Sequence, residues 1–213
     1  MKESIEQTKK RASKIVDILS KEYPDARVHL DYENPFQLLI STILAAQCTD
    51  VKVNKVMGEL YKKYKGPADI ANQNPGTLQQ ELGEITFFRQ KTKAIQNCCR
   101  SLIEKFGGKD PGTMKELTSL AGVGRKTANV ILVNCFNIPA IITDTHVIRL
   151  SQRMGLSENE TGDKVESDLL KIIPENKQIA YSLSVSEHGR VLCKARKPKC
   201  DECVISELCP KLI

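Results

Sequence analysis

The fold of this chain is decided by the stretch Leu120-Ala-Gly-Val-Gly-Arg-Lys-Thr-Ala128, in which two glycines join two apolar helical patterns. Gly122 and Gly124 permit unusual φ values and a close approach to the backbone. The first turn of the following helix points its N–H groups, and the positive end of the helix dipole, away from the helix. A turn of this kind predicts a binding site for an anion.

Two nucleotide-binding loops resemble this turn superficially, and both fail on spacing. A phosphate-binding loop needs glycine directly before its lysine and another glycine five positions earlier, but here Arg125 intervenes and position 119 is serine. The dinucleotide fingerprint needs a third glycine where Thr127 stands, and no strand pattern precedes the turn. An ordinary pair of antiparallel helices remains the alternative to an anion-binding hairpin.

The rest of the chain is patterned as helix, and no segment alternates in the way a strand does. Asn34 before Pro35 is typical of a helix start, and Thr49 and Asp50 can cap the next helix. We therefore predict an all-α fold. Segments with helical periodicity are 5–19, 36–46, 51–64, 88–106, 114–120, 126–136, 145–154, 164–172 and 178–191.

Eight cysteines occur in the chain, and four of them crowd into the last 21 residues. No apolar signal segment follows the opening residues and no stretch is long enough to cross a membrane, so we expect a soluble, cytoplasmic protein with reduced thiols. The dense group, Cys193, Cys200, Cys203 and Cys209, then predicts a metal site. Spacing alone leaves zinc and an iron–sulfur cluster open. We expect the other four, Cys48, Cys98, Cys99 and Cys135, to be buried as small apolar side chains.

Positive charge is concentrated between the first two of these cysteines. The chain has 32 Lys and Arg against 26 Asp and Glu, a formal charge of +6, which permits a polyanionic partner without demanding one. The more specific feature is a loop of four cations that we expect to have no acid nearby and to meet phosphate groups. These cations are Lys194, Arg196, Lys197 and Lys199.

Three motifs together resemble a known family. The glycine stretch resembles the helix-hairpin-helix of DNA glycosylases, and Thr143-Asp144-Thr145-His146 resembles the catalytic aspartate motif of the same superfamily. The Cys-x6-Cys-x2-Cys-x5-Cys tail resembles the iron–sulfur signature of its endonuclease III branch. The resemblance runs from about Asn34 to Cys209 and includes Ala46-Gln47-Cys48-Thr49-Asp50 and His188-Gly189-Arg190.

The resemblance implies a two-lobed helical fold. It predicts a continuous domain of about 28–138 that contains the helix-hairpin-helix at 113–136. A second domain would combine 1–27 with 139–213 and carry a [4Fe-4S] cluster on 193–209. The cluster would be structural, with the four cysteines as ligands and the basic loop displayed to DNA.

The resemblance also implies a reaction. Cleavage of a glycosidic bond builds positive charge on the sugar, which a carboxylate stabilises and a nucleophile captures. Asp144 would be the carboxylate and Lys126 the nucleophile. An amine forms a Schiff base that permits β-elimination of the 3′ phosphate, so glycosylase and AP lyase activities would share one residue. The implied partner of this monomeric, nucleoid-associated enzyme is double-stranded DNA containing an oxidised pyrimidine or an abasic site.

Two further positions match family residues that fill the gap left by an extruded base, Gln47 and Phe87. Phe87 replaces the more usual leucine, and its alternative is ordinary core packing beside Phe88. Ala45 and Thr118 depart from the serine and glutamate that well-known members carry near the catalytic pocket, whereas Asp50 is retained.

A rival interpretation is a DNA-binding protein without catalysis, with the hairpin and a zinc-stabilised tail. Lys126 and Asp144 argue against it, although Asp144 could also cap the helix that follows, and we expect His146 to be structural rather than catalytic.

Overall fold

The computed structural model describes residues 3–212, and all regular secondary structure in that range is helical. The predicted all-α class is confirmed. Short 3₁₀ turns lie at Glu175–Lys177 and Cys200–Glu202. The α-helices are α1 Ile5–Glu22, α2 Pro35–Ala45, α3 Asp50–Lys63, α4 Pro67–Asn72, α5 Pro75–Glu81, α6 Phe88–Phe106, α7 Met114–Thr118, α8 Arg125–Phe136, α9 Thr145–Arg153, α10 Gly162–Ile172 and α11 Gln178–Val191.

The chain forms two compact units. One, the continuous unit, runs from His29 to Phe136 and contains α2 to α8. The other, the terminal unit, combines the residues up to Val28 with those from Asn137 onward and contains α1, α9, α10 and α11. The glycine stretch belongs to the continuous unit, while Asp144 and the cysteine tail belong to the terminal unit.

The continuous unit is built around α2, which packs against α3, α6 and α8. Its sequence is apolar on every side, and a helix of that kind is buried all round. Leu38, Ile40 and Leu44 are accordingly inaccessible to solvent. Helices α4 and α5 cover α6, and α7 pairs with α8 to form the two arms of the hairpin. This packing fixes the base of the glycine turn.

In the terminal unit, α11 packs between α1 and α9, and α10 contacts α1 and α9. Tyr181 is fully buried there, and its hydroxyl lies 2.8 Å from the hydroxyl of Ser151, so its polar end is satisfied. Helices α9 and α11 approach closely at Gly189. A Cβ atom at Gly189 would lie 2.7 Å from Cβ of His146, so only glycine fits between the two helices.

The predicted helices are all present, with bounds that differ by a few residues. The Asn34 cap is confirmed, since its side-chain oxygen accepts from the N–H of Gln37 at 2.9 Å. Thr49 occupies the N-cap position of α3 but makes no capping bond with its side chain. Helices α4 and α5 were not predicted, because six or seven residues starting at a proline are too short to show a period.

The structure also bears on membrane crossing and on the burial of the four remaining cysteines. Across residues 3–212, no helix has both the length and the apolar character that a membrane crossing requires. Cys98 and Cys99 are fully buried, and burial raises the pKa of Cys98 to about 12. Cys48 and Cys135 are only partly buried, so the prediction was wrong for these two.

Candidate active site and cluster loop

The glycine stretch forms a tight turn between α7 and α8. Val123 is buried and its N–H bonds the carbonyl of Leu120 at 3.2 Å, which anchors the turn to the core. Gly122 has φ +79°, a conformation that favours glycine. Gly124 does not have a positive φ, and a Cβ added there would meet nothing within 4 Å. The expectation of an unusual φ therefore holds for Gly122 alone.

Lys126 is the second residue of α8, and its side chain is exposed. The helix is anchored immediately behind it, because Ala128 and Asn129 are fully buried. The N–H of Ala128 bonds the carbonyl of Gly124 at 3.0 Å, and this bond closes the first turn of the helix, which contains Lys126. The lysine thus combines a rigid backbone with an accessible amine at the positive end of the helix dipole.

Asp144 is half-buried at the N-cap of α9, and three hydrogen bonds hold its carboxylate. One oxygen accepts from the N–H groups of His146 and Val147 at 2.9 and 2.7 Å. The other accepts from the hydroxyl of Ser186 at 2.6 Å. The capping role is therefore confirmed. Ser186 was missed, because it comes from α11, 42 residues along the chain, and no sequence motif marks it.

His146 is half-buried against α11, with Nδ1 3.2 Å from the guanidinium of Arg149. Burial lowers the pKa of His146, and the nearby Asp144 carboxylate acts in the opposite direction. Helix α11 packs closely here, since a Cβ atom added at Gly189 would lie 3.1 Å from Nδ1 of His146. These contacts agree with a structural role for His146.

Gln47 and Phe87 both lie in turns of the continuous unit and share an uncommon backbone conformation. Their φ values are +53° and +58°, in the left-handed region that non-glycine residues rarely adopt. Gln47 is exposed, and Phe87 is 55% exposed. Phe87 is therefore not a core residue, which removes the alternative considered for it.

Of the two departures from the family pattern, Ala45 is half-buried, and Thr118 is exposed with its hydroxyl bonded to the carbonyl of Met114.

Cys193, Cys200, Cys203 and Cys209 line one cavity in the terminal unit, and none of them forms a disulfide. A zinc ion would need its ligands about 2.3 Å from one centre. Among residues 3–212, no group of three or more His, Cys, Asp or Glu side chains is placed to hold a single metal ion. Four free thiols that line one cavity are also the ligand set of a polynuclear cluster, whose irons each take one thiolate.

The loop between the first two cysteines is fastened by arginines of α9. Arg153, which is 9% exposed, donates to the carbonyls of Lys194 and Ala195 at 2.8 and 2.9 Å. Arg149 donates to the carbonyls of Gly189 and Cys193, both at 2.9 Å. Neither arginine was singled out by the sequence, because their partners lie some 40 residues away.

The four predicted cations of this loop are all exposed. The expectation that they have no acid nearby was wrong for Lys199, whose amine pairs with Glu202 at 3.0 Å. Neutralisation of one cation leaves three to present a net positive surface. The cations are Lys194, Arg196, Lys197 and Lys199.

Comparison with known proteins agrees with this geometry. Residues 40–175 match the family described as HhH-GPD superfamily base excision DNA repair protein, and 193–209 match the iron-sulfur binding domain of endonuclease III. Endonuclease III of Synechocystis sp. is 46% identical over 203 residues, which cover 95% of this chain and 93% of that protein.

Two solved structures extend the likeness to three dimensions. A trapped covalent intermediate of endonuclease III with DNA, an estranged-adenine complex, has a TM-score of 0.90 at 40% identity, with coverage of 95% of this chain and 96% of that chain. A thermostable thymine-DNA glycosylase has a TM-score of 0.86 at 25% identity, with coverage of 96% and 97%. The chain therefore belongs to the endonuclease III family of bifunctional DNA glycosylase/AP lyases, which act in base excision repair and carry a [4Fe-4S] cluster.

Proposed function

We propose that this enzyme excises oxidised pyrimidines from duplex DNA, with Lys126 as the nucleophile and Asp144 as the carboxylate that stabilises the sugar cation. The observation that carries the assignment is the position of Lys126. Its exposed amine stands on the first turn of α8, directly after the glycine turn, in a helix that the fully buried Ala128 and Asn129 anchor to the core. A covalent intermediate with DNA has been trapped for a relative of 40% identity, which supports an enzyme nucleophile.

In the proposed reaction, the nitrogen of Lys126 forms a bond to C1′ as the bond from C1′ to the base breaks. The base leaves with the electron pair and is protonated. Opening of the sugar ring gives a Schiff base, which acidifies the hydrogens on C2′. Loss of one C2′ proton expels the 3′ phosphate, and hydrolysis of the Schiff base returns the free lysine. One amine therefore serves both activities.

The proposed part of Asp144 is electrostatic, because positive charge grows on the sugar while the bond to the base breaks. Its three hydrogen bonds fix the direction of the carboxylate in advance. Ser186 belongs to this arrangement as a positioning residue, since its hydroxyl holds the oxygen that the helix cap does not use. A carboxylate held in this way needs little reorganisation in the transition state.

The proposed DNA contacts fall into two classes. Gly122 and Gly124 bring backbone N–H groups to a phosphate, and Gln47 and Phe87 fill the gap left by the extruded base. The basic loop, Lys194, Arg196, Lys197 and Lys199, contacts phosphates without reading sequence. Cys193, Cys200, Cys203 and Cys209 would hold the cluster, which crosslinks the tail that carries this loop.

We also propose that the two compact units are the two domains of the enzyme, and that it acts as a monomer in the cytoplasm, close to the nucleoid. Within residues 3–212, large exposed apolar side chains such as Val51, Ile103 and Leu170 lie on different helices, and single exposed apolar residues of this kind are normal on a monomer.

A panel of duplexes tests the proposed lesion class. Each duplex would carry thymine glycol, 5-hydroxycytosine, 8-oxoguanine, uracil, a G·T mismatch or an abasic site, and base release and strand nicking would be measured separately. We expect rapid release of the two oxidised pyrimidines, and nicking that leaves the β-elimination product. The mismatch is included because of the likeness to a thymine-DNA glycosylase. Faster release of mismatched thymine, uracil or 8-oxoguanine would overturn the proposed specificity.

A further inference from the structure

Lys91 is a buried cation that the reaction does not use. It lies one turn into α6, is 7% exposed, and donates from its amine to two backbone carbonyls at the end of α2. The acceptors are the carbonyls of Leu44 at 2.8 Å and Ala46 at 2.6 Å. Burial lowers the pKa of Lys91, which reflects the unfavourable desolvation of its ammonium. A buried charge of this kind is retained only where it is well hydrogen-bonded.

Lys91 bonds to both of the turns that carry Gln47 and Phe87, to one through its side chain and to the other through its backbone. The side-chain amine holds Ala46, the residue immediately before Gln47. The backbone N–H of Lys91 makes the ordinary helical bond to the carbonyl of Phe87 at 3.1 Å, in the first turn of α6. One residue therefore links the two turns through three hydrogen bonds.

Both turns need an external constraint. Gln47 and Phe87 have φ values of +53° and +58°, and non-glycine residues keep this conformation only where the surroundings impose it. Phe87 has no side-chain cap at the start of α6 to fix it. At the end of α2, a cation satisfies carbonyls that lack partners within the helix and matches the negative end of its dipole. Lys91 supplies the constraint for the Gln47 turn and anchors it to the helix that begins after Phe87.

We propose that Lys91 is a positioning residue for base extrusion, which presents Gln47 and Phe87 to the DNA as one rigid wedge. This inference rests on the proposed role of those two residues in filling the gap in the base stack. It assigns no contact between Lys91 and DNA, because its amine is buried and both of its acceptors are protein carbonyls. Its effect should appear only where a nucleotide, with or without its base, must be turned out of the paired helix.

The test compares lesions that must be extruded with lesions that are already unstacked. Single-turnover rates at saturating enzyme would be measured for thymine glycol and, in parallel, for an abasic site, each in a paired duplex and in a single-nucleotide bulge. Lys91→Met keeps the side-chain length and removes the donor. We expect it to slow the paired thymine glycol reaction by about tenfold or more, and the bulged reaction by less than about threefold, because misplaced groups act on extrusion and not on chemistry.

The conservative and matched variants sharpen the test. Lys91→Arg keeps donors for both carbonyls and should restore the paired rate to within about threefold of wild type. Lys93→Met removes an exposed lysine of the same helix and should leave both rates unchanged. Melting temperature and iron content establish that each variant is folded. If Lys91→Met does not fold, Lys91→Gln, which can bond one carbonyl, takes its place, and its paired-to-bulged ratio should still fall.

A signal independent of chemistry separates positioning from general stability. The fluorescence of 2-aminopurine beside a tetrahydrofuran abasic analogue rises when the wedge unstacks it. At saturating enzyme we expect a smaller rise with Lys91→Met than with wild type or Lys93→Met. Equal slowing on paired and bulged DNA, or an unchanged fluorescence rise, would overturn the proposal. The comparison of paired and bulged abasic DNA tests the wedge even if thymine glycol is not a substrate. Failure of the proposed lesion class can therefore be told apart from failure of the proposed wedge.

Discussion

The glycine turn and the basic loop are both proposed to bind phosphates, but the protein builds them differently. The turn is held by backbone bonds over short distances, such as Val123 to Leu120 and Ala128 to Gly124. The loop at 194–199 has few bonds of its own, and Arg153 of a distant helix fastens its carbonyls. A site that depends on local backbone geometry can be recognised in a sequence. A loop held by a residue of a distant helix cannot, because the sequence does not show which residue holds it.

One helix connects the second of these regions with the proposed chemistry. Helix α9 begins at the Asp144 cap and ends at Arg153, which holds the loop before the cluster. Nine residues therefore fix both the carboxylate and the basic loop in one rigid element. The glycine turn has the corresponding arrangement in the continuous unit, where α8 carries Lys126 just after the turn. In the proposed function, each unit would therefore combine one phosphate contact with one reactive group.

The largest effect should come from the hairpin lysine. Lys126→Gln removes the proposed nucleophile and should lower borohydride trapping on abasic or oxidised-pyrimidine DNA, together with strand nicking, by about a thousandfold or more. Binding should persist, because the glycine turn is unchanged. The measurement is the trapped covalent complex on a denaturing gel, with Arg125→Gln as the control for a lost neighbouring cation. Trapping of Lys126→Gln at the wild-type rate would identify another amine as the nucleophile.

The next effect concerns the start of α9. Asp144→Asn keeps an N-cap but loses the charge, and it should slow single-turnover base release by about a hundredfold or more with little change in binding. Ser186→Ala keeps the carboxylate and removes one of its three hydrogen bonds, so its loss should be smaller, about tenfold. Wild-type excision by a folded Asp144→Asn variant would reduce Asp144 to a helix cap.

A smaller effect separates the two glycines of the turn. Gly122→Ala forces a side chain into φ +79° and should lower the free energy of unfolding by about 1–2 kcal/mol. Gly124→Ala places its methyl group in open space and should change stability by less than about 1 kcal/mol. If a phosphate approaches there, that methyl should weaken DNA binding about tenfold, through the loss of a charge-assisted hydrogen bond. Denaturant unfolding and equilibrium binding measure the two effects, and wild-type affinity for Gly124→Ala would exclude this contact.

Sequence patterns predicted most of the fold and supplied the candidates for the reactive groups, because period, caps and motif spacing are local properties. They failed where a role depends on distant contacts. Lys91 reads as one more helix-surface lysine until Leu44 and Ala46 are placed beside it, and Ser186 has no motif of its own. The left-handed φ of Phe87 was equally invisible, since it comes from the turn and not from the apolar side chain.

The last and smallest effect tests whether the loop fastened by Arg153 binds DNA at all. Lys194 and Arg196 are exposed and bracket Ala195, whose carbonyl Arg153 holds, so removing them leaves that fastening intact. If each contacts one phosphate, Lys194→Ala with Arg196→Ala should lower the salt slope, log K against log salt, by about two units in magnitude. Single-turnover excision at saturating enzyme should change little.

Lys10→Ala with Lys14→Ala is the matched control, because it removes the same charge from exposed positions of α1 in the same unit. Iron content separates lost contacts from a collapsed tail. Lys199 offers a further comparison. Its amine already pairs with Glu202, so Lys199→Ala should lower the magnitude of the salt slope by less than Lys194→Ala or Arg196→Ala alone. If the double variant keeps its iron and has the same salt slope as the Lys10 and Lys14 control, the basic loop is a solvated surface that does not contact DNA. Of the two regions proposed to bind phosphates, the glycine turn would then be the one that remains.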